Sequence, residues 1–131
     1  MLTILFVALM ASLPFAQEVQ RAYAHQEADT LHTLLTEAES RADSLLVRYR
    51  LYPLTEDASL LKGLPSELSD GNARETALLS GLWSYRAGEA SILSAVQYGR
   101  RSANILESAK EQDPDDPYVL LIEGQSLLFR P

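Results

Sequence analysis

Leu31, Leu34, Leu35, Ala38, Ala42, Leu45, Leu46 and Tyr49 recur at intervals of three and four residues, the spacing that lays a single apolar stripe along an α-helix. The pattern predicts one long helix spanning 17–53, with Glu37 and Arg41 four apart on its polar face in the favourable order and Pro53 at its end. Nowhere does the chain alternate apolar and polar residues for long enough to suit a half-buried strand. The class is therefore all-α.

Beyond Pro53 the signals shorten. Residues 54–71 read as a connector with helical pieces: Thr55 caps a short helix over 56–62, Gly63 closes it, and Pro65 opens a further turn. Asn72 followed by Glu75 has the spacing of a capping box, and it introduces a helix over 73–87 that Gly88 stops. A second helix covers most of 90–112, with Val96, Gly99, Ala103, Leu106 and Ala109 on one stripe. A last helix starts at Pro117. Between these two, "DPDDP" at 113–117 packs three aspartates and two prolines into five positions. As a calcium loop starting at Asp113 it fails, because Pro117, Tyr118 and Gly124 stand where an oxygen ligand, a glycine and a glutamate are needed. As punctuation it works: Asp113 before Pro114 stops one helix, and Asp116 caps the next with Pro117 in its first turn.

Charge and cysteine content narrow the function. Eleven Lys plus Arg against 18 Asp plus Glu leave a net charge of −7, and the longest basic run is Arg100-Arg101. Nucleic acid and anionic membrane surfaces both need a cationic footprint, so neither is an expected partner. The chain has no cysteine, which removes disulfides, thiolate metal sites and cysteine nucleophiles. Its N-terminus, "MLTILFVALMASLPFAQE", is apolar and uncharged from Leu2 to Leu13 and reaches Ala16 just after Pro14. We read residues 1–16 as a signal peptide cut after Ala16, since the run is shorter than the about 20 residues that span a bilayer. The competing reading is an uncleaved anchor. With the signal removed, an exported protein of the periplasm or cell envelope with no stable membrane insertion is expected.

Gly81 and Gly124 each sit within an apolar helix, as "LLSGLWS" and "LIEGQSL". A glycine there costs about 1 kcal/mol relative to alanine, so its use points to a close approach by a neighbouring backbone. Gly81, Gly88, Leu106, Ala109 and Pro114 fall in the order of the small, apolar and proline positions of a tetratricopeptide repeat (TPR), and residues 72–131 resemble that family. Gly81 and Gly124 lie 43 positions apart, which needs about nine residues more than the usual period of roughly 34, inserted between Gly88 and Ser102. Residues 17–53 resemble a degenerate earlier unit, with Ala42 and Leu46 as its small and large anchors. The resemblance implies antiparallel helix hairpins stacked as a short TPR-like right-handed solenoid that binds peptides or protein surfaces. Under it, 72–131 is one hairpin plus the first helix of a further, incomplete unit. The final helix carries Val119, Leu120, Leu121, Ile122, Leu127, Leu128 and Phe129 on nearly every side, so it needs cover on both faces. A following segment, a partner or self-association through this helix would supply it.

Catalytic patterns are absent. There is no Gly-x-Ser-x-Gly elbow and no phosphate loop, and the carboxylates sit in charged surface patterns. His25, Asp29 and His32, at i, i+4 and i+7, would share a face of a continuous helix and form a weak candidate for zinc or a metal-dependent hydrolase. No fourth ligand accompanies them, and a solvated polar face is the preferred reading. No cofactor is implied. Trp83, Tyr85 and Tyr98 are candidates to line a peptide groove, with core packing as the alternative. Tyr85, Arg86 and Gln125 are the candidates for exposed contacts. The leading expectation is a non-catalytic exported scaffold or adaptor for a protein or peptide. The alternative is a small-ligand carrier or transporter accessory protein, with its ligand in a cavity between helices.

Overall fold

In the computed structural model, which describes residues 14–128, six α-helices and one 3-10 turn follow one another: α1 (Phe15–Ala24), α2 (Ala28–Glu37), α3 (Arg41–Thr55), the 3-10 turn (Ala58–Leu61), α4 (Ala73–Glu89), α5 (Ile92–Gln112) and α6 (Pro117–Leu128). No strand occurs among the described residues. The all-α class is thus observed. None of the described helices is long and apolar enough to cross a membrane. The apolar run of the proposed signal, up to Leu13, lies outside the described residues. Its proposed cut after Ala16 falls within α1, where Phe15 and Ala16 pack against the core.

The single helix expected over 17–53 is corrected to three. At the first break Gln26 takes a left-handed φ of 56°; its N–H donates to the Tyr23 carbonyl and the Glu27 N–H to the Ala22 carbonyl at 2.8 Å. This pair of bonds closes α1 by a Schellman motif without a glycine. At the second break Ala38 turns extended, and the Ser40 side chain accepts the Asp43 N–H at 3.1 Å to cap α3. The apolar stripe survives both breaks because each short helix turns its own apolar face to a shared core, in which Val19, Ala22, Leu31, Leu34, Leu45, Leu46 and Tyr49 are all buried. Arg41 is the first residue of a new helix and does not pair with Glu37 as expected. Its guanidinium reaches forward to Asp70 at 3.0 Å and Glu75 at 2.7 Å. Pro53 does not end α3 either; it sits inside the last turn, giving up the bond to the carbonyl four residues back.

The connector carries less helix than expected. Asp57, not Thr55, caps the 3-10 turn by accepting the Ser59 N–H at 2.9 Å, and Gly63 follows with a φ of 70°. Arg48 holds the turn to α3 by donating to the carbonyls of Leu60 at 2.7 Å and Lys62 at 2.9 Å.

Helix α4 is the central element, packed against α3, α5, α6 and the 3-10 turn. Its residues Thr76–Trp83 are buried on all sides, the mark of a helix surrounded by others. Leu78, Leu79 and Leu82, wholly buried, each contribute about 1.5–3 kcal/mol by leaving water. The capping box forms as expected: Asn72 Oδ1 accepts the Glu75 N–H at 2.8 Å and Glu75 Oε1 accepts the Asn72 N–H at 3.2 Å. Helices α4 and α5 run antiparallel, held by two serines that donate to each other's backbone carbonyl, Ser80 to Ser102 and Ser102 to Ser80, both at 2.8 Å. Helix α5 is continuous through Tyr98-Gly99. The acidic turn acts as punctuation: Asp116 Oδ1 accepts the Tyr118 N–H at 2.9 Å at the start of α6.

The two mid-helix glycines differ. A Cβ on Gly81 would stand 2.5 Å from Tyr49 Cε1 and 2.9 Å from Ile122 Cδ1, so the close approach exists, but to a ring of α3 and a side chain of α6 and not to the α5 partner of its hairpin. Gly124 has nothing described within 4 Å. Of the expected α5 stripe, Leu106 and Ala109 are buried while Val96, Gly99 and Ala103 face outward.

Candidate binding surface

The five residues singled out in the sequence separate into two clusters on opposite sides of α4. The first gathers Tyr85 and Gln125 around residues of α3. The Tyr85 ring stacks on both Tyr49, at 5.2 Å and 17°, and Tyr52, at 4.8 Å and 27°. Spacing of three along α3 puts those two rings on one face, where they clasp Tyr85. The Tyr49 hydroxyl donates to Gln125 Oε1, and the Tyr52 hydroxyl to Glu89. Burial, followed by the Glu89 carboxylate, pushes the Tyr52 phenol up to about 12, and burial raises Tyr49 and Tyr85 as well. These phenols stay neutral at ordinary pH and act as packing. Arg50 lies 4.5 Å from the Tyr23 ring centroid and 5.7 Å from that of Tyr49. Tyr85 and Gln125 are therefore both engaged internally, and neither is the free surface contact that was expected.

The second cluster holds Trp83, Arg86 and Tyr98. Trp83 is 3% exposed and its Nε1 donates to the Pro65 carbonyl at 2.8 Å, so it pins the connector to α4 and forms a floor. Tyr98 lies against it at 5.3 Å with the rings tilted by 50°. Arg86 reaches over both rings, at 5.0 and 5.1 Å, and Arg101 over Trp83 at 4.7 Å. Of the proposed groove residues in this cluster, Trp83 is thus core, while Tyr98, with the contact candidate Arg86, borders an open groove of about 460 Å³ that also takes in Lys62, Glu89 and Ser94. A second open groove, of about 510 Å³, runs along α5 between Ser66-Glu67 and Leu93, Val96, Gln97, Arg100, Arg101 and Asn104.

Three apolar side chains at the start of α5 stand in solvent: Ile92 at 85% exposure, Leu93 at 89% and Val96 at 56%. Of the three, the sequence reading placed only Val96, on one stripe with Leu106 and Ala109. The signal that could have found the surface was "SILSAVQYGRR", where apolar residues run directly into an arginine pair.

Cations sort the same way. Arg21, Arg41, Arg74 and Lys110 pair with carboxylates, Arg48 donates to backbone carbonyls and Arg50 lies among tyrosines. Among the described residues, Lys62, Arg86, Arg100 and Arg101 make no ion pair, and all four line the two grooves. In a chain with a charge of −7 these two grooves set four cations against Glu67 and Glu89, beside exposed apolar surface.

The weak metal candidate is undone by the helix break. His25 caps the end of α1, while Asp29 and His32 lie on α2 beyond the reversal. Among the described residues no three His, Asp or Glu side chains come together as a metal site. The buried hydroxyls of Ser80 and Thr76 are both bonded to carbonyls.

No protein-family model matches this chain, and neither characterised proteins nor solved structures give a significant match to it.

Proposed function

We propose that this chain is an exported, non-catalytic scaffold or adaptor that recognises a protein or peptide, and that the outer face of α5 with the adjoining connector is its contact surface. The observation that carries this reading is the coincidence of exposed Ile92, Leu93 and Val96 with four groove-lining cations that make no ion pair among the described residues. Contiguous exposed apolar surface rimmed by polar groups is a mark of interaction sites, and arginine is favoured in them. The grooves are open to solvent, which suits a surface partner better than a small molecule carried between helices.

A short TPR-like solenoid is our reading of the helix order. The antiparallel α4–α5 hairpin supports it; the approach at Gly81, made by α3 and α6, and the open surroundings of Gly124 are not the paired intra-hairpin contacts the resemblance implies. Export to the periplasm or cell envelope rests on the N-terminal sequence alone. Affinity capture from envelope extracts, run side by side with the wild-type chain and Val96→Glu, tests the surface. Proteins retained by the former and lost with the latter are expected; identical capture by the two, or none by either, refutes it.

A further inference from the structure

We infer that the occupant of the α5 face is an acidic amphipathic helix of another protein, an inference that rests on the contact surface just proposed. Ile92, Val96, Gly99 and Ala103 stand at i, i+4, i+7 and i+11 and are all exposed. That spacing makes a straight ridge along the helix. Its apolar end is followed by two positions with little or no side chain, and Gly99 has nothing within 4 Å, so a second helix can lie close along the ridge. Helix-in-groove recognition uses the same spacing of anchors on the incoming segment.

Charge specifies the rest. Arg100 borders the ridge without an ion pair, Arg101 lies further round the helix over Trp83, and Glu67 is the single acid among the residues lining the groove on that side. An incoming helix with glutamates beside its apolar row would meet the exposed Arg100 guanidinium. An exposed pair of this kind changes affinity by a factor of about 1.4 to 5, enough to favour a partner by sign and to make binding salt-sensitive.

A lipid surface fits less well, because the groove is walled by Ser66 and Glu67 and the whole chain is acidic. A second copy also fits less well. The exposed apolar residues of α6, Leu120 and Leu127, are accompanied by acids already in use: Glu123 pairs with Lys110 at 3.1 Å and Asp116 caps the helix beside Arg74.

The test uses the full chain and fluorescently labelled synthetic helical peptides with leucines at i, i+4, i+7 and i+11, flanked in one by glutamates and in the other by lysines. Anisotropy should show the glutamate peptide binding severalfold more tightly than the lysine peptide, the ratio expected when an exposed pair is exchanged for a repulsion. Arg100→Glu and Val96→Glu should each weaken it severalfold. Both positions are exposed, so melting curves like that of the wild type are expected, and if one variant melts early the other carries the comparison. Equal binding of the two peptides, Val96-dependent binding to anionic phosphatidylglycerol vesicles, or Val96-dependent self-association in sedimentation would each overturn the inference. If neither peptide binds while envelope capture remains sensitive to Val96→Glu, the acidic helix is wrong and the contact surface stands; if capture is insensitive as well, both fall.

Discussion

Replacing Gly81 with alanine sets two effects of known sign against each other. Alanine in mid-helix gains about 1 kcal/mol over glycine. The added methyl would lie 2.5 Å from Tyr49 Cε1 and 2.9 Å from Tyr49 Cδ1 and Ile122 Cδ1. Ile122 Cδ1 is the end of a flexible side chain and can turn aside. Tyr49 cannot do so cheaply, since its ring is buried, stacked on Tyr85 and tied through its hydroxyl to Gln125. Overpacking a methyl into such a site costs about 1–3 kcal/mol, so a net loss of about 1 kcal/mol is expected, or roughly 4 °C in melting temperature for a domain of this size. Gly124→Ala is the internal control. With open space around Gly124, only the propensity gain remains, and stability should rise by about 0.5–1 kcal/mol. Urea unfolding followed by far-UV circular dichroism, with m-values compared to keep the denatured state constant, reads both. A Gly81→Ala protein as stable as the wild type would refute the wedge at Tyr49. Equal losses at the two positions would restore them as equivalent contact glycines of successive repeats.

Three further outcomes follow from the same structure. Tyr52, with its phenol raised to about 12 from 10.0, contributes stability that is complete below about pH 10 and lost as pH climbs toward 12, because the unfolded chain releases the proton first; Tyr52→Phe should flatten this alkaline limb in a stability-against-pH series, and an unchanged limb would contradict it. The Arg41 guanidinium beside Glu75 and Asp70 holds both carboxyls below their usual values of 4.5 and 3.8, so the stability they add is present above those values and lost as pH falls below them. Glu75→Gln should flatten that acid limb in a stability-against-pH series, and an unchanged limb would show that the ion pair is idle. Asp116→Ala should cost about 1 kcal/mol through the lost cap, while calcium or a chelator leaves the wild-type melting temperature unmoved; a rise with calcium would reinstate the acidic turn as a metal loop.

Local hydrogen-bond chemistry was the legible part of this chain. The box at Asn72 and Glu75, the stop at Asp113 and the start at Asp116-Pro117 are each made by side chains within three residues of the backbone they serve. The breaks at 25–27 and 38–40 escaped because neither glycine nor proline marks them. Gln26 adopts the left-handed conformation in spite of its side chain, and the unbroken apolar stripe hid the reversal. Ser40 and Asp43 did offer a cap in the sequence. The candidate site was read less well for a different reason. Periodicity tells which residues share a face but not whether another helix arrives to cover it, so Val96, on one stripe with Leu106 and Ala109, proved to be surface while they are buried. Tyr85 and Gln125 looked like surface and proved to be bound by Tyr49, a partner far away along the chain.

That partner bears on how the molecule comes apart. A repeat array whose units touch only their neighbours can fray from an end, one pair of helices at a time. Here the Tyr49 ring fits beside Gly81 and its hydroxyl meets Gln125, 76 residues further on, so α6 cannot detach without unseating a side chain of α3. Denaturation should consequently be all-or-none, with circular dichroism and Trp83 fluorescence tracing one transition. Refolding, delayed by the need to close so long a loop, should be slower than is usual for a helical chain of this length.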